Sequence, residues 1–360
     1  MKFHVLFITL SILLMLFVIY PSITTATTTT NTNTSSYKLF TEFQTVFKRK
    51  YKNEQERLTR FKIFHENMEK IEYLNSVDNH QRATYSHLTQ WADMTETEFT
   101  NMHGYSSSNI DETNTPDTIC QLLIPGPHLS PTMKPKASLD YVALGATVAV
   151  KNQGKCGSCW AHATTAVVEG RLKIDTGNTT SLSEQYLMDC DTTRVCNGCC
   201  GGLPERTLQW LANSTCPGIA SEQQYPYESE SGTDPTTGKC KSSIPLVAKV
   251  TGFGIVNGEA SSMLSASNEY GVLSVTMDSK PLQFYKSGII TNPKCTTTSN
   301  HAVAIVGYGV DNGVNYWKVR NSYGKQFGED GYFRIIRSLS GISACGMSGC
   351  VVASTGAEYV

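Results

Sequence analysis

One cysteine and two residues far downstream of it constrain this chain more than anything else in its sequence. The run Gln153-Gly154-Lys155-Cys156-Gly157-Ser158-Cys159-Trp160-Ala161 leads into a helix-competent stretch reaching about Lys173, with Ala163, Ala166, Val167 and Gly170 on roughly one face. Gly157 and Ser158 read as a loop, so Cys159 falls on the first helical turn, where unpaired backbone N–H groups and the helix dipole favour an anion. A thiol attacks a carbonyl only as thiolate, and a neighbouring cation lowers its pKa further. His301 can supply that cation and pass the proton to a leaving amine. It opens the apolar run Ala302-Val303-Ala304-Ile305-Val306-Gly307, expected as a buried strand. Asp311-Asn312-Gly313 is a turn signal, and Tyr316 to Arg320 reads as a returning strand. That hairpin brings Asn321 back beside His301, where its amide can orient the imidazole. The fold therefore has to set a helix N-terminus against a remote hairpin.

The plain alternative for Cys156 and Cys159 is a redox or zinc C-x-x-C pair, which leaves Gln153, His301 and Asn321 without a reason. With 360 residues, 40% of them hydrophobic, the chain can bury one or two full cores. A net charge of −1 without a basic block argues against nucleic acid as a partner. Lys2, an apolar run from Val5 to Tyr20 and small residues ending near Ala26 have the layout of a cleaved secretory signal over 1–26. A membrane anchor would need about 20 apolar residues. Twelve cysteines in such a chain imply disulfides. Cys196, Cys199, Cys200 and Cys216 also allow a zinc reading, which the secretory context disfavours. Residues 27–36 form a Thr-rich leader, and Asn33, Asn178 and Asn213 head glycosylation sequons.

Taken together these residues resemble a papain-like cysteine protease of the cathepsin L type, whose nucleophile signature is C-G-[SA]-C-[WY] with His and Asn far downstream. Leu182-Ser183-Glu184-Gln185, Asp189-Cys190, Gly198-Cys199-Cys200-Gly201-Gly202, Tyr225-Pro226-Tyr227 and Gly328-Glu329-Asp330-Gly331-Tyr332 follow in the family's order, and the likeness runs from about Tyr37 to the C-terminus. The resemblance implies an α+β, two-domain papain-like fold preceded by a small helical pro-domain. A helical half would carry Cys159, and a β-barrel-like half His301 and Asn321. Cys159 would be nucleophile, His301 acid and base, Asn321 orienter, and Gln153 an oxyanion donor together with the Cys159 backbone N–H. The implied disulfides are Cys156 with Cys199, Cys190 with Cys240, and Cys295 with Cys345.

The resemblance also implies a cleft for extended peptides. Gly201 and Gly202 would meet the substrate backbone, Gly202 because no side chain blocks the approach. Leu203, Pro204, Thr276 and Ala302 would wall the pocket for the second residue before the scissile bond, with Cys350 as its floor. A neutral thiol there offers no counter-charge, so Leu, Val or Phe is expected and Arg disfavoured. The alternative is that Cys350 pairs with Cys196, Cys200 or Cys216. Three departures stand out: Tyr323 and Phe327 replace tryptophans, altering the primed-side surface, Cys200 replaces a polar residue, and His162 replaces an aromatic. His162 reads as a hydrogen-bonded helix histidine or as a second titrating group beside Cys159.

Upstream, residues 37–100 match an inhibitory pro-domain. Tyr37 to about Asn75 reads as two helices, and within it Glu56, Arg60, Ile63, Phe64, Asn67, Ile71 and Asn75 share one helical face. In the motif that follows, only Trp91, Asp93 and Met94-Thr95 are recognisable, and His87 and Thr89 occupy its Gly and Asn positions, which puts the pH sensitivity of that region in question. Residues 101–133 are expected as a linker through the cleft, with the mature part, 134–360, starting near Lys134 to Ala137. The expectation is an endopeptidase made as a zymogen, acting on proteins and peptides, with its pro-domain as intramolecular inhibitor. It would be a monomer without cofactor, metal or membrane association, in a lysosome-like or extracellular compartment. Rivals are an exopeptidase with an obstructed cleft, although no His lies between Leu203 and Cys240, and a silent inhibitor or binding protein.

Overall fold

The computed structural model describes residues 35–77, 82–103 and 126–360, apart from 192, 194–197, 214–217, 233–238, 242, 292, 339–343 and 348. The expected signal, the leader apart from Ser35 and Ser36, most of the linker, Asn33, Cys120, Cys196 and Cys216 lie outside the described residues. The fold is α+β, with a small helical N-terminal part, a long central helix and a twisted sheet.

Two helices begin the chain, α1 over 35–46 and α2 over Glu54–Val77. Asn53 accepts from the Glu56 N–H at 2.9 Å and Glu56 reaches back to the Lys52 N–H at 2.5 Å, closing the first turn of α2. Phe40 and Phe43 of α1 pack on Phe64 of α2 with ring centroids 5.2 and 5.4 Å apart. The face expected on α2 is used for polar pinning as well. Asn67 donates to the Ala92 and Met94 carbonyls at 3.0 and 2.8 Å, and Arg60 bonds the Asp93 carbonyl and Glu98. Asn75 pairs with the Tyr85 backbone in both directions. Strand β1 (Ala83–Tyr85) and helix α3 (Glu96–Asn101) complete this part.

The body begins with the short strands β2 (His128–Leu129) and β3 (Leu139–Asp140). Helices α4 (Cys159–Thr176), α5 (Glu184–Cys190) and α6 (Pro204–Leu211) then make the helical half. Short strand β4 (Ile219–Ala220), β5 (Leu246–Val256), helix α7 (Ala260–Glu269), β6 (Leu273–Met277) and β7 (Tyr285–Ile290) follow. Strands β8 (His301–Asp311), β9 (Val314–Arg320), β10 (Tyr332–Ile336) and β11 (Val351–Tyr359) complete the sheet. Its order is β1-β7-β10-β9-β8-β6-β11-β5-β2, with β3 on β8 and β4 on β5. The β8–β9 hairpin turns through Asn312 (φ 48°) and Gly313 (φ 76°), as the Asn-Gly signal predicts.

The first strand of the sheet therefore belongs to the N-terminal part: β1 pairs antiparallel with β7, Ala83 opposite Gly288. The approach is close enough that a Cβ on Gly288, at φ 88°, would run into the Arg82 carbonyl.

Candidate active site

Helix α4 threads the body with nearly its whole first half buried, and Cys159 stands at its first residue with no exposed surface. Strand β8 starts at His301, and β9 ends one residue before Asn321. Cys159 Sγ accepts a 3.4 Å hydrogen bond from the Ala302 N–H, which sets the sulfur against the first turn of that strand. His301 Nε2 lies 2.9 Å from Asn321 Oδ1. A carbonyl oxygen only accepts, so Nε2 carries the proton, and Nδ1 is the nitrogen left for the thiol side. Nδ1 has no hydrogen-bond partner among the described residues.

A buried ionic cluster ties the two halves together behind these residues. Lys151 meets Glu184 at 2.8 Å and Glu169 and Glu222 at 3.5 Å, while Arg320 on β9 reaches Glu169 on α4 at 3.4 Å. Arg320 precedes Asn321, so the pair fixes the end of the hairpin relative to the Cys159 helix. Burial pushes the Glu184 carboxyl up, yet the Lys151 ammonium, with hydrogen bonds from Lys151 and Thr165, overrides it and holds it down to about 2. Sequence reading missed this cluster because its members are scattered along the chain and charged residues ordinarily read as surface.

Gln153 is buried and more engaged than an open oxyanion donor. Its Nε2 donates to the Cys156 carbonyl at 2.9 Å, its Oε1 accepts from the Ser322 hydroxyl, and its N–H donates to the Ser322 carbonyl. One amide hydrogen remains beyond these bonds. Leu203 and Ala302 form a small apolar cluster with Cys159 and Ala163. Thr276 faces Ala302 across the β6–β8 ladder, and Pro204 is the first residue of α6. Gly201 has φ 123°, and a Cβ on Gly202 would strike the Trp160 indole, so packing against the helix already demands glycine there.

The disulfides among the described residues are Cys156–Cys199, Cys190–Cys240 and Cys295–Cys345. Cys350 corrects the expectation of a free thiol: it is itself disulfide-bonded, with a partner outside the described residues. Cys200 is excluded as that partner, being free and exposed. The physical reason is that pairing is set by distance in space, which counting along the chain does not give. Asn178 and Asn213, the described sequon residues, are both exposed.

The N-terminal part lies directly on the site. Tyr323 stacks on His301 with centroids 5.1 Å apart and planes 16° apart, and Trp91 and Phe327 meet Tyr323 edge-on at 4.5 and 5.1 Å. His103 then closes over both. Its ring stands 4.5 Å from that of His301 and its Nε2 bonds the Tyr323 hydroxyl. Burial first, then His103, pushes the His301 imidazole well below its usual value, so it is neutral under this cover. His103 carries no motif of its own, and composition gave only a linker there.

Comparison with known proteins identifies the family. Residues 136–355 match the papain family of cysteine proteases, and residues 40–99 the cathepsin propeptide inhibitor domain. Fruit bromelain of Ananas comosus is 35% identical over 316 residues, covering 86% of this chain and 84% of its own. The cathepsin L-like proteinase of Phaedon cochleariae is 30% identical over 318 residues, covering 87% and 92%. The structure of digestive procathepsin L 3 from Tenebrio molitor larval midgut superposes with a TM-score of 0.74 at 30% identity, over 89% of this chain and 98% of that one. The chain belongs to the papain family of cysteine proteases and carries that family's cathepsin-type inhibitory propeptide.

Proposed function

We propose that this cysteine protease is an endopeptidase in which Cys159 is the nucleophile, His301 the acid and base, and Asn321 the orienter. The observation that carries the reading is the line Cys159 Sγ, Ala302 N–H, His301, Asn321 Oδ1, which joins the α4 N-terminus to the β8–β9 hairpin. Once the propeptide has left, water and substrate reach His301, and the helix N-terminus stabilises the thiolate beside an imidazolium. Thiolate attack gives a tetrahedral oxyanion held by the Cys159 backbone N–H and the remaining Gln153 amide hydrogen. His301 protonates the departing amine, leaving a thioacyl enzyme, and then activates the water that hydrolyses it.

Leu203, Pro204, Thr276 and Ala302, with the Cys350 cystine, would favour an apolar residue at the second position before the scissile bond. They supply no carboxylate for an arginine, whose burial would be costly. The divisions at 1–26, 27–36, 37–100, 101–133 and 134–360, a monomeric state, no nucleic-acid partner, glycans on Asn178 and Asn213, and a secretory, lysosome-like or extracellular location belong to the same reading. Its test is Cys159→Ser, nearly isosteric and expected to leave the fold intact while turnover falls by several decades. A processed variant that still cleaves peptides within about tenfold of the parent rate would remove the assignment.

A further inference from the structure

His162 stands two helical positions beyond Trp160, buried and edge-on to Tyr227 at 5.3 Å. Its Nδ1 lies 3.0 Å from the Ser158 carbonyl, which can only accept, so Nδ1 carries the proton. Burial lowers the proton affinity of the ring, with Lys151 and Arg320 acting the same way and Glu184 and the Ser158 carbonyl acting against it. The neutral ring so defined presents Nε2 as an acceptor. That atom is fully buried and has no hydrogen-bond partner among the described residues.

Asn321 presents the complementary case. Its Oδ1 accepts from His301 Nε2 and from the Ser322 N–H, both at 2.9 Å. Its Nδ2 is buried without a hydrogen-bond partner among the described residues. Both residues line one small pocket, whose other walls include Lys151, Ala163, Ala302 and Arg320. Its volume is about 10 Å³, and roughly 10–15 Å³ accommodates a single water. Buried polar groups of native proteins are almost always satisfied, so an unpartnered donor and an unpartnered acceptor on two residues lining one water-sized pocket need a common explanation.

We propose that His162 is a positioning residue that acts through one buried water on Asn321, and through Asn321 on His301. The water accepts from Asn321 Nδ2–H and donates to His162 Nε2. The Asn321 amide is thereby held at both ends, with its oxygen kept on His301 when that ring becomes an imidazolium. The aromatic residue usual in relatives at this position has no such acceptor, so the relay is a property of this chain.

This inference rests on the Cys159–His301–Asn321 assignment, and one set of processed variants separates the two. His162→Phe restores the aromatic, His162→Gln keeps an acceptor near the Nε2 position, and Asn321→Ala removes the target. His162→Phe is expected to lower kcat about tenfold, the scale of one hydrogen bond, with KM unchanged. The alkaline limb of its pH profile should move to lower pH, because a less firmly held imidazolium loses its proton sooner. His162→Gln should stay within about twofold of the parent on both readouts. In the Asn321→Ala background, His162→Phe should cost less than about twofold. The proposal is overturned if His162→Phe behaves like the parent, if His162→Gln is equally slow with the same shifted limb, or if the two losses multiply. Should His162→Phe not fold, a high-resolution crystal structure of the parent decides: an ordered water within hydrogen-bond distance of both His162 Nε2 and Asn321 Nδ2 supports the relay, and none overturns it. Failure of the underlying assignment looks different, since Asn321→Ala alone would then leave kcat unchanged.

Discussion

The propeptide and the catalytic body bury their apolar residues very differently. The propeptide's own core is a handful of side chains, Phe40, Phe43, Phe64 and Ala92, fringed by half-buried neighbours. The body has one continuous core from Leu139 to Ala357, and that core takes in Ala83, Trp91 and Phe99 from the propeptide. A unit that small is marginal by itself, because too little of its surface is removed from water. It borrows burial from the enzyme it covers, whereas the body gives up only a few contacts when it leaves. Docking can therefore be weakened sharply by changes that leave the mature enzyme intact.

The largest such effect is expected at Gly288, where β1 joins the sheet. Gly288→Val adds a side chain against the Arg82 backbone and strains a left-handed residue, so the whole β1–β7 seam should open. Intact zymogen carrying it should hydrolyse a small peptide at least a hundredfold faster than parent zymogen, while the processed variant, which keeps the backbone strain and so melts lower, should still cleave that peptide within about twofold of the processed parent. Equal zymogen rates would show that the seam does not hold the cover in place.

A comparable effect should come from pH, through His103. Burial holds its imidazole down to about 4, from an ordinary value near 6.5, against the opposing pull of the Thr100 and Phe99 carbonyls and Asp278. The docked segment thus binds fewer protons than the released one. Docking is fully favourable above about pH 6.5 and weakens as pH falls through the window down to about 4, by up to roughly 300-fold for a shift of this size. His103→Phe should flatten the pH dependence of zymogen activation across that window. An unchanged slope would place the sensor at another covered group, such as His301, whose imidazole burial also holds low.

Asn67→Ala is smaller. It leaves the Ala92 and Met94 carbonyls without their donor inside the propeptide, which costs about 1–3 kcal/mol. Zymogen activity should rise roughly tenfold, with no change in the processed enzyme. A zymogen activity unchanged from the parent would mean that these two bonds do not hold the propeptide together.

Several elements were legible in the sequence because each carries a local signal: a Gly-Ser loop before α4, Asn-Gly for the β8–β9 turn, an uninterrupted helical run for the propeptide's α2. The pairing of β1 with β7 was not legible, because a three-residue strand has no periodicity and depends on a glycine far along the chain. The Lys151–Glu169–Arg320 cluster and the contact of His103 with Tyr323 were hidden for a related reason, since both join residues remote in sequence. Cys350 shows the limit from another side. Its position along the chain was countable, but its oxidation partner is a matter of distance in space.

The central claim is that one segment of this chain holds its own Cys159 and His301 covered, with the imidazole neutral. The most direct measurement is the rate at which a thiolate-selective epoxide alkylates Cys159, followed by peptide mapping, in intact zymogen at neutral pH and after propeptide removal. Mapping separates Cys159 from Cys200, the exposed free cysteine. Alkylation of Cys159 should be at least a hundredfold faster after removal, with Cys200 unchanged. Equal rates at Cys159 in the two forms would contradict the account.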